Sequence, residues 1–373
     1  MQKEKYEFYN IPRRYSSADY KEAVECIIGK YSKTKGLVSI YDWGGAPNYG
    51  ISDLDFVFVF DMKEAAPMPV FKRVFYVLND RFRYIARHPF FYIDKVSFNN
   101  IRYVYPDADF KLLYGENIKI KKISSEERNF SRIALLSDII VRHYPRDFIE
   151  QAVVKSINAR DMLLRLNSLK HSIKTIEALT KEKNARWGYI AKQVENLRVG
   201  WFRKDDYDLL SSLNEQAIRI TMEMAEKFRD FLVKKRIVSI ISGTSAKYSG
   251  AKNTALFIKG WGRETSIKEM VELVRDGRAF YSILPIELAP QQIEYSKHDG
   301  RVSSYVKNNL SHNLRCELEY PDIIRKRATI FNKQAELASR LKHSDFAAFF
   351  DFGYRNKAGI NNKVLNILRR YRN

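Results

Sequence analysis

Apolar residues recur at three- and four-residue steps through Tyr20, Ala23, Val24, Ile27 and Ile28, with Ser16 or Ser17 where a helix cap is needed. This spacing predicts a helix with one buried face. The period then shortens. Leu37-Val38-Ser39-Ile40-Tyr41 reads as a strand, glycines 44, 45 and 50 with Pro47 and Asn48 interrupt regular structure, and residues 54–60 resume as an apolar, β-branched and aromatic strand. A helix starting at Pro69 and running through Val70, Val74, Val77, Leu78 and Phe82 follows. A strand over 90–94 and a short element over 110–114, stopped by Gly115, complete an α/β module of ordinary domain size.

From Ser125 to about Ile241 the pattern is helical and glycines are few. Its clearest stripe is Met162, Leu163, Leu166, Leu169, Ile173 and Ile176, a core-facing series, with Asp161 and Arg165 spaced for an i,i+4 pair. Arg160, Arg165, Lys170, His171 and Lys174 lie elsewhere on that helix, on a solvated face or toward a phosphate-binding cleft. Beyond it, Ala255-Leu256-Phe257-Ile258 and residues 281–288 are extended, residues 321–373 are mostly helical, and the chain closes on the basic run Arg369-Arg370-Tyr371-Arg372. The expected organisation is a catalytic domain over 1–124, a helical domain over 125–241 and a mixed, mostly helical region over 242–373.

Composition narrows the class. The 373 residues are 45% hydrophobic and 13% aromatic, well above a disordered chain, and no low-complexity run interrupts them. No apolar run approaches the roughly 20 residues that span a bilayer, and the first residues lack the apolar core of a signal peptide. Cys26 and Cys316 have neither zinc-site nor disulfide spacing, so a cytoplasmic location without membrane association is expected. Of the net charge of +21, residues 1–125 carry +5 (20 Lys+Arg against 15 Asp+Glu), which leaves +16 downstream. Such a field attracts nucleoside triphosphates, nucleic acid or another anionic acceptor.

The chemistry concentrates in Tyr41-Asp42-Trp43-Gly44-Gly45, followed after a spacer by Ser52-Asp53-Leu54-Asp55. On a strand, Asp53 and Asp55 would point the same way. Two adjacent carboxylates repel, and a divalent cation relieves that repulsion; magnesium favours one or two carboxylates together with substrate phosphates. Gly44 and Gly45 permit close approach of backbone to phosphate. No P-loop ending follows the glycine- and serine-containing stretch 243–252, and the six histidines show no paired-ligand spacing.

On these residues the chain resembles the DNA polymerase β-like nucleotidyltransferase superfamily, whose signature is a Gly-Gly or Gly-Ser turn, a spacer and Asp-x-Asp on a strand. The match is strongest over about 20 residues and extends weakly over 15–120. There Leu112-Leu113-Tyr114-Gly115-Glu116 is similar to the strand and turn that close the domain in antibiotic-modifying relatives. The resemblance implies an α/β catalytic domain followed by a largely α-helical region, with Asp53 and Asp55 holding two Mg2+ ions, or Mn2+. Gly44, Gly45 and Ser52 would bind the nucleotide, ATP or another triphosphate. Gly45 stands where many members have serine, which removes one phosphate contact. A third acidic residue on a neighbouring strand would help hold metal and activate the acceptor; Asp94 occupies that place, with Asp107 and Asp109 as competitors. The expected reaction moves a nucleoside monophosphate to a hydroxyl on a small molecule or protein and releases pyrophosphate. An RNA end as acceptor, and a catalytically inactive binding protein on the same fold, are the alternatives.

Overall fold

The computed structural model describes residues 6–67, 79–87, 90–248, 254–277, 280–300, 306–308 and 310–342. They form a mixed α/β protein. Strand β1 (Glu7–Tyr9) precedes α1 (Ser17–Tyr31), β2 (Leu37–Trp43), β3 (Phe56–Phe60), α2 (Asp80–Ile85), β4 (Phe91–Asp94), α3 (Lys95–Asn99) and β5 (Phe110–Gly115). Ser16 caps α1 in a reciprocal capping box with Asp19, as its position before the apolar series predicted. The helix expected from Pro69 falls mostly outside the described residues; its last expected position, Phe82, lies in α2.

Strands β2 to β5 make a four-stranded sheet in the order β4-β3-β2-β5. β2 runs antiparallel to β3 and β5, and β4 runs parallel to β3. Phe56, Phe58 and Phe60 pack against Tyr20, Ala23, Ile27 and Tyr31 of α1, while Val57 and Val59 enter the core shared with the helices. A strand covered on both faces is apolar at every position, which is why Phe56 to Phe60 shows no polar alternation.

Helices α4 (Ser125–His143), α5 (Arg146–Val153), α6 (Ala159–Thr180), α7 (Ala185–Gly200) and α8 (Tyr207–Lys234) follow. The six-residue stripe of α6 is entirely buried. Strand β6 (Ser156–Asn158), between α5 and α6, pairs in parallel with β1, so the chain's start is tied to the helical region. The described residues from 238 onward carry more strand than their periodicity suggests. β7 (Val238–Ser242) pairs with β12 (Arg315–Leu318), and β8 (Ser245–Tyr248), β9 (Thr254–Lys259), β10 (Phe280–Pro285) and β11 (Leu310–His312) form a sheet ordered β10-β9-β8-β11. Helices α9 (Arg263–Arg275) and α10 (Ala289–Ser296) accompany them. β8, β11 and β12 are short and rich in polar residues, so pairing rather than local pattern makes them strands.

The last described helix, α11 (Pro321–Arg340), returns to the first sheet and packs on its edge strand β4. A helix laid over an edge strand also shields it from pairing with another chain. Arg327 fastens it: its guanidinium, 1% exposed, donates to Asp138 (2.6 Å), to the Tyr295 hydroxyl and to the carbonyls of Tyr103 and Val104. Residues from all three expected domains, among them Val57, Leu166 and Ile324, share one continuous core. No helix among the described residues is long and apolar enough to cross a membrane. The basic run 369–372 lies outside the described residues.

Candidate active site

β2 ends at Trp43 and turns through Gly44 (φ +87°) and Gly45 (φ +68°), two successive left-handed positions that side chains rarely adopt. Gly44 N–H donates to the Asp109 carbonyl at 3.1 Å, and Gly45 N–H donates to the Asp42 carboxylate. Both glycines are exposed, and a Cβ built on either meets nothing within 4 Å. Gly50 is the opposite case: a Cβ there would lie 2.0 Å from the Arg13 carbonyl. Gly45→Ala should therefore fold with a loss of about 1–2 kcal/mol from its backbone conformation alone, whereas Gly50→Ala adds a clash with backbone and should be the less stable of the two. Urea unfolding of both variants checks the order; equal losses would contradict it.

Asp53, Leu54 and Asp55 lie ahead of β3, not within it. Alternation along a regular strand consequently does not set the directions of the two carboxylates. Each is half-buried, and their charged surroundings differ: the Asp53 charge acts on Tyr20, Arg160 and Arg198, that of Asp55 on Tyr105. The backbone just before Asp53 is held from four directions. Gly50 N–H donates to the Tyr20 hydroxyl (2.9 Å), which donates in turn to the Ser52 carbonyl. The Tyr84 hydroxyl donates to the Gly50 carbonyl (2.6 Å). Arg160, 2% exposed, donates to the carbonyls of Ile51 (3.1 Å), Tyr84 (2.6 Å) and Ser52 (3.3 Å), with its guanidinium 3.7 Å from the Tyr84 ring centre. Arg198 reaches from α7 to the Ser52 hydroxyl at 3.2 Å. Ser52, expected to bind nucleotide, is thus a buried joint between the loop and the helical region, its oxygens already engaged inside the protein.

The register separates Asp94 from the other two carboxylates. It pairs with Phe60, at the far end of β3 from Asp55, about 17 Å along the strand at ~3.3 Å per residue. Its Oδ1 accepts the amides of Val96 and Ser97, both at 3.0 Å, and caps α3. Asp107 is taken by Arg132, which donates to both its oxygens at 2.6 and 2.7 Å. Asp109 precedes β5, and its bond to Gly44 places it at the glycine-turn end of the sheet. Asp42, adjacent to that turn, escaped attention in the sequence; a lone charge inside an apolar strand was the available signal. Burial raises its pKa, Lys111 and the Gly45 amide oppose the rise, and its Oδ1 is buried with no hydrogen-bond partner among the described residues.

The basic residues of the helical region are arranged more tightly than their spacing suggests. Arg165 pairs with Asp147 (2.7 Å) rather than with Asp161, which Arg87 takes; Lys170 pairs with Glu195; His171 and Lys174 are exposed. Asp147 also receives Arg146 (3.0 Å) and His143 Nδ1 (2.9 Å), and the two guanidiniums, with the hydrogen bond from His143, hold its pKa far below the usual carboxylate range against the effect of burial. Arg142 Nε donates to His143 Nε2 at 2.8 Å, so the imidazole in this arrangement is neutral, with its proton on Nδ1. Tyr105, 4.2 Å from the Trp43 ring, lies within the fields of both Asp55 and Arg142 and links the two regions.

Burial, then Arg142, lowers the His143 pKa from 6.5 to about 4. A lowered folded pKa gives stability that is present above 6.5 and lost as pH falls through about 4. The side chain is 32% exposed, so solvent screening reduces the effect, to about 1–2 kcal/mol. Urea unfolding between pH 7 and 4 should show the native chain losing that much more stability than His143→Gln; parallel profiles would exclude the coupling.

Among the described residues no three His, Cys, Asp or Glu side chains form a ready metal group. The donor chemistry at this end of the sheet is nevertheless the kind magnesium takes: Asp42, Asp53 and Asp55 carry oxygen ligands, and Asp42 Oδ1 is buried without a donor among the described residues. No protein-family model, curated protein or solved structure matches the chain.

Proposed function

We propose that the chain is a metal-dependent nucleotidyltransferase of the polymerase β-like type, using a nucleoside triphosphate and an acceptor hydroxyl. One observation carries this reading: the open Gly44-Gly45 turn and the immobilised approach to Asp53-Leu54-Asp55 meet at one end of the sheet, joined by the 2.9 Å bond from Trp43 N–H to the Asp55 carbonyl. Gly44 and Gly45 seat the triphosphate where no side chain intervenes. Magnesium held by Asp53 and Asp55 would neutralise phosphate charge when bound. Asp109, whose backbone lies at the same end, is proposed in place of Asp94 as the carboxylate that receives the acceptor proton. The acceptor oxygen attacks the α-phosphorus, the bond to the β-phosphate oxygen breaks, and pyrophosphate carries away the electron pair. Holding Asp53 through Tyr20, Arg160 and Arg198 fixes positions before substrate arrives.

The acceptor is proposed to be a small molecule or a protein hydroxyl. The downstream charge of +16 favours an RNA end as the second reading. Incubation with each labelled nucleoside triphosphate, Mg2+ and a cell extract tests both, since label enters a small molecule, a protein or RNA. Absence of label and of pyrophosphate with all four nucleotides and several extracts would overturn the enzyme reading in favour of a binding protein on this fold. For RNA, affinity should also fall steeply with salt.

A further inference from the structure

At the opposite end of the sheet, between β4, α3 and α11, lies a cavity of about 410 Å³, within the ~300–1,000 Å³ of small-molecule sites. Asp94 lines it and is 4% exposed. Its Oδ1 is occupied by the α3 amides, whereas its Oδ2 is buried with no hydrogen-bond partner among the described residues. Such an acceptor is costly unless a donor arrives. Three lysines line the same cavity: Lys121, Lys326 and Lys333. Lys326 is bound to Glu127 (2.8 Å) and the Tyr103 hydroxyl (3.0 Å), and Lys333 to Glu336 (3.0 Å). Lys121 makes no ion pair among the described residues.

We propose that this cavity binds a phosphorylated pentose, free or as a nucleoside monophosphate, separately from the glycine-turn site. The phosphate accepts from Lys121 and Lys333, and a pentose hydroxyl donates to Asp94 Oδ2. Each simpler ligand meets an obstacle. A bare anion leaves Asp94 Oδ2 without a donor and sets a second negative charge near it. A divalent or organic cation gains only Asp94 and meets Lys121, which has no carboxylate partner among the described residues, beside the paired Lys326 and Lys333. A neutral hydroxyl attached to a dianion satisfies both, and Tyr103 and Thr329 line the same cavity.

Calorimetric titration of the full chain with ribose 5-phosphate, AMP and inorganic phosphate tests this. Ribose 5-phosphate or AMP should bind at least about tenfold more tightly than inorganic phosphate, as expected for an added hydrogen bond to a charged group. Tighter binding of AMP would identify the nucleotide form, and equal binding the pentose phosphate alone. Asp94→Asn keeps the α3 cap through its Oδ1 and replaces the buried acceptor by a donor, so pentose phosphate affinity should drop about tenfold with the fold retained. Lys121→Ala, on an exposed stem, should weaken all three ligands. The proposal is overturned if the pentose phosphates bind no better than inorganic phosphate, or if Asp94→Asn leaves their affinity unchanged. It also fails if binding is lost in Asp53→Asn and kept in Asp94→Asn, which would locate the ligand at the glycine turn.

Discussion

Asp55→Asn should lower nucleotidyl transfer by about 10²–10³-fold or more, the usual cost of removing one group that stabilises charge at a reacting phosphoryl or acyl centre. Asp53→Asn should do the same. The substitutions are isosteric and remove one negative charge each, so they probe metal and phosphate electrostatics rather than packing. Asp94→Asn is the contrasting variant. Its residue sits beside Phe60, five positions along β3 from Asp55, about 17 Å away, and transfer should stay within about twofold of the native chain. Asp109→Asn should fall with the Asp53 and Asp55 variants. The measurement is label transferred per minute at saturating triphosphate, with circular dichroism to confirm folding. An Asp94→Asn loss as deep as that of Asp55→Asn would return the third carboxylate to Asp94 and sink the assignment based on register. Retention of most activity by Asp55→Asn would remove the motif from the chemistry.

Arg160→Met should be damaging in two ways at once. The guanidinium donates to three backbone carbonyls, two of them immediately before Asp53, and is itself buried. Methionine preserves much of the volume but strands acceptors at Ile51 and Tyr84; a hydrogen bond to a charged group is worth about 1.5–3 kcal/mol, so a loss of about 3 kcal/mol in urea unfolding is expected. Burial lowers the pKa of this arginine, yet the Tyr84 ring and the Asp53 charge favour its cationic form. Because the loop positions Asp53, transfer should also fall about 10²-fold, the scale of an ångström-sized displacement. Arg160→Lys should recover little, since one ammonium cannot serve three carbonyls arranged around a planar fork. Loss of stability with full activity in the surviving folded protein would show that the clamp supports the fold alone.

Local pattern located most elements of the first sheet because β3 is buried on both faces and its neighbours are apolar or aromatic at most positions. Leu37 to Tyr41, the apolar run ending at Phe60, and residues 91–94 and 110–114 each carry enough β-branched and aromatic character to be recognised without their partners. The buried stripe of α6 was legible for the same reason, since its period is set by the helix alone. β8, β11 and β12 were not, because three or four mostly polar residues become a strand only when another strand satisfies their backbone. Arg160 illustrates the limit for side chains. Its position on α6 admitted a solvated face or a cleft, and only the packing of α6 against the 50–53 loop shows it to be buried.

The sequence by itself determined that a flexible Gly-Gly turn stands a short spacer ahead of two carboxylates and that an apolar strand follows them. Those are properties of neighbours along the chain, set by backbone freedom and side-chain period. Tertiary structure alone decided which end of the sheet each acid occupies. Parallel pairing of β3 with β4 carries Asp94 away from the turn, antiparallel pairing of β2 with β5 brings Asp109 to it, and strand direction has no signature in local composition. The same pairing, with α11 packed on the sheet's edge, leaves Asp94 beside a cavity and its lysines.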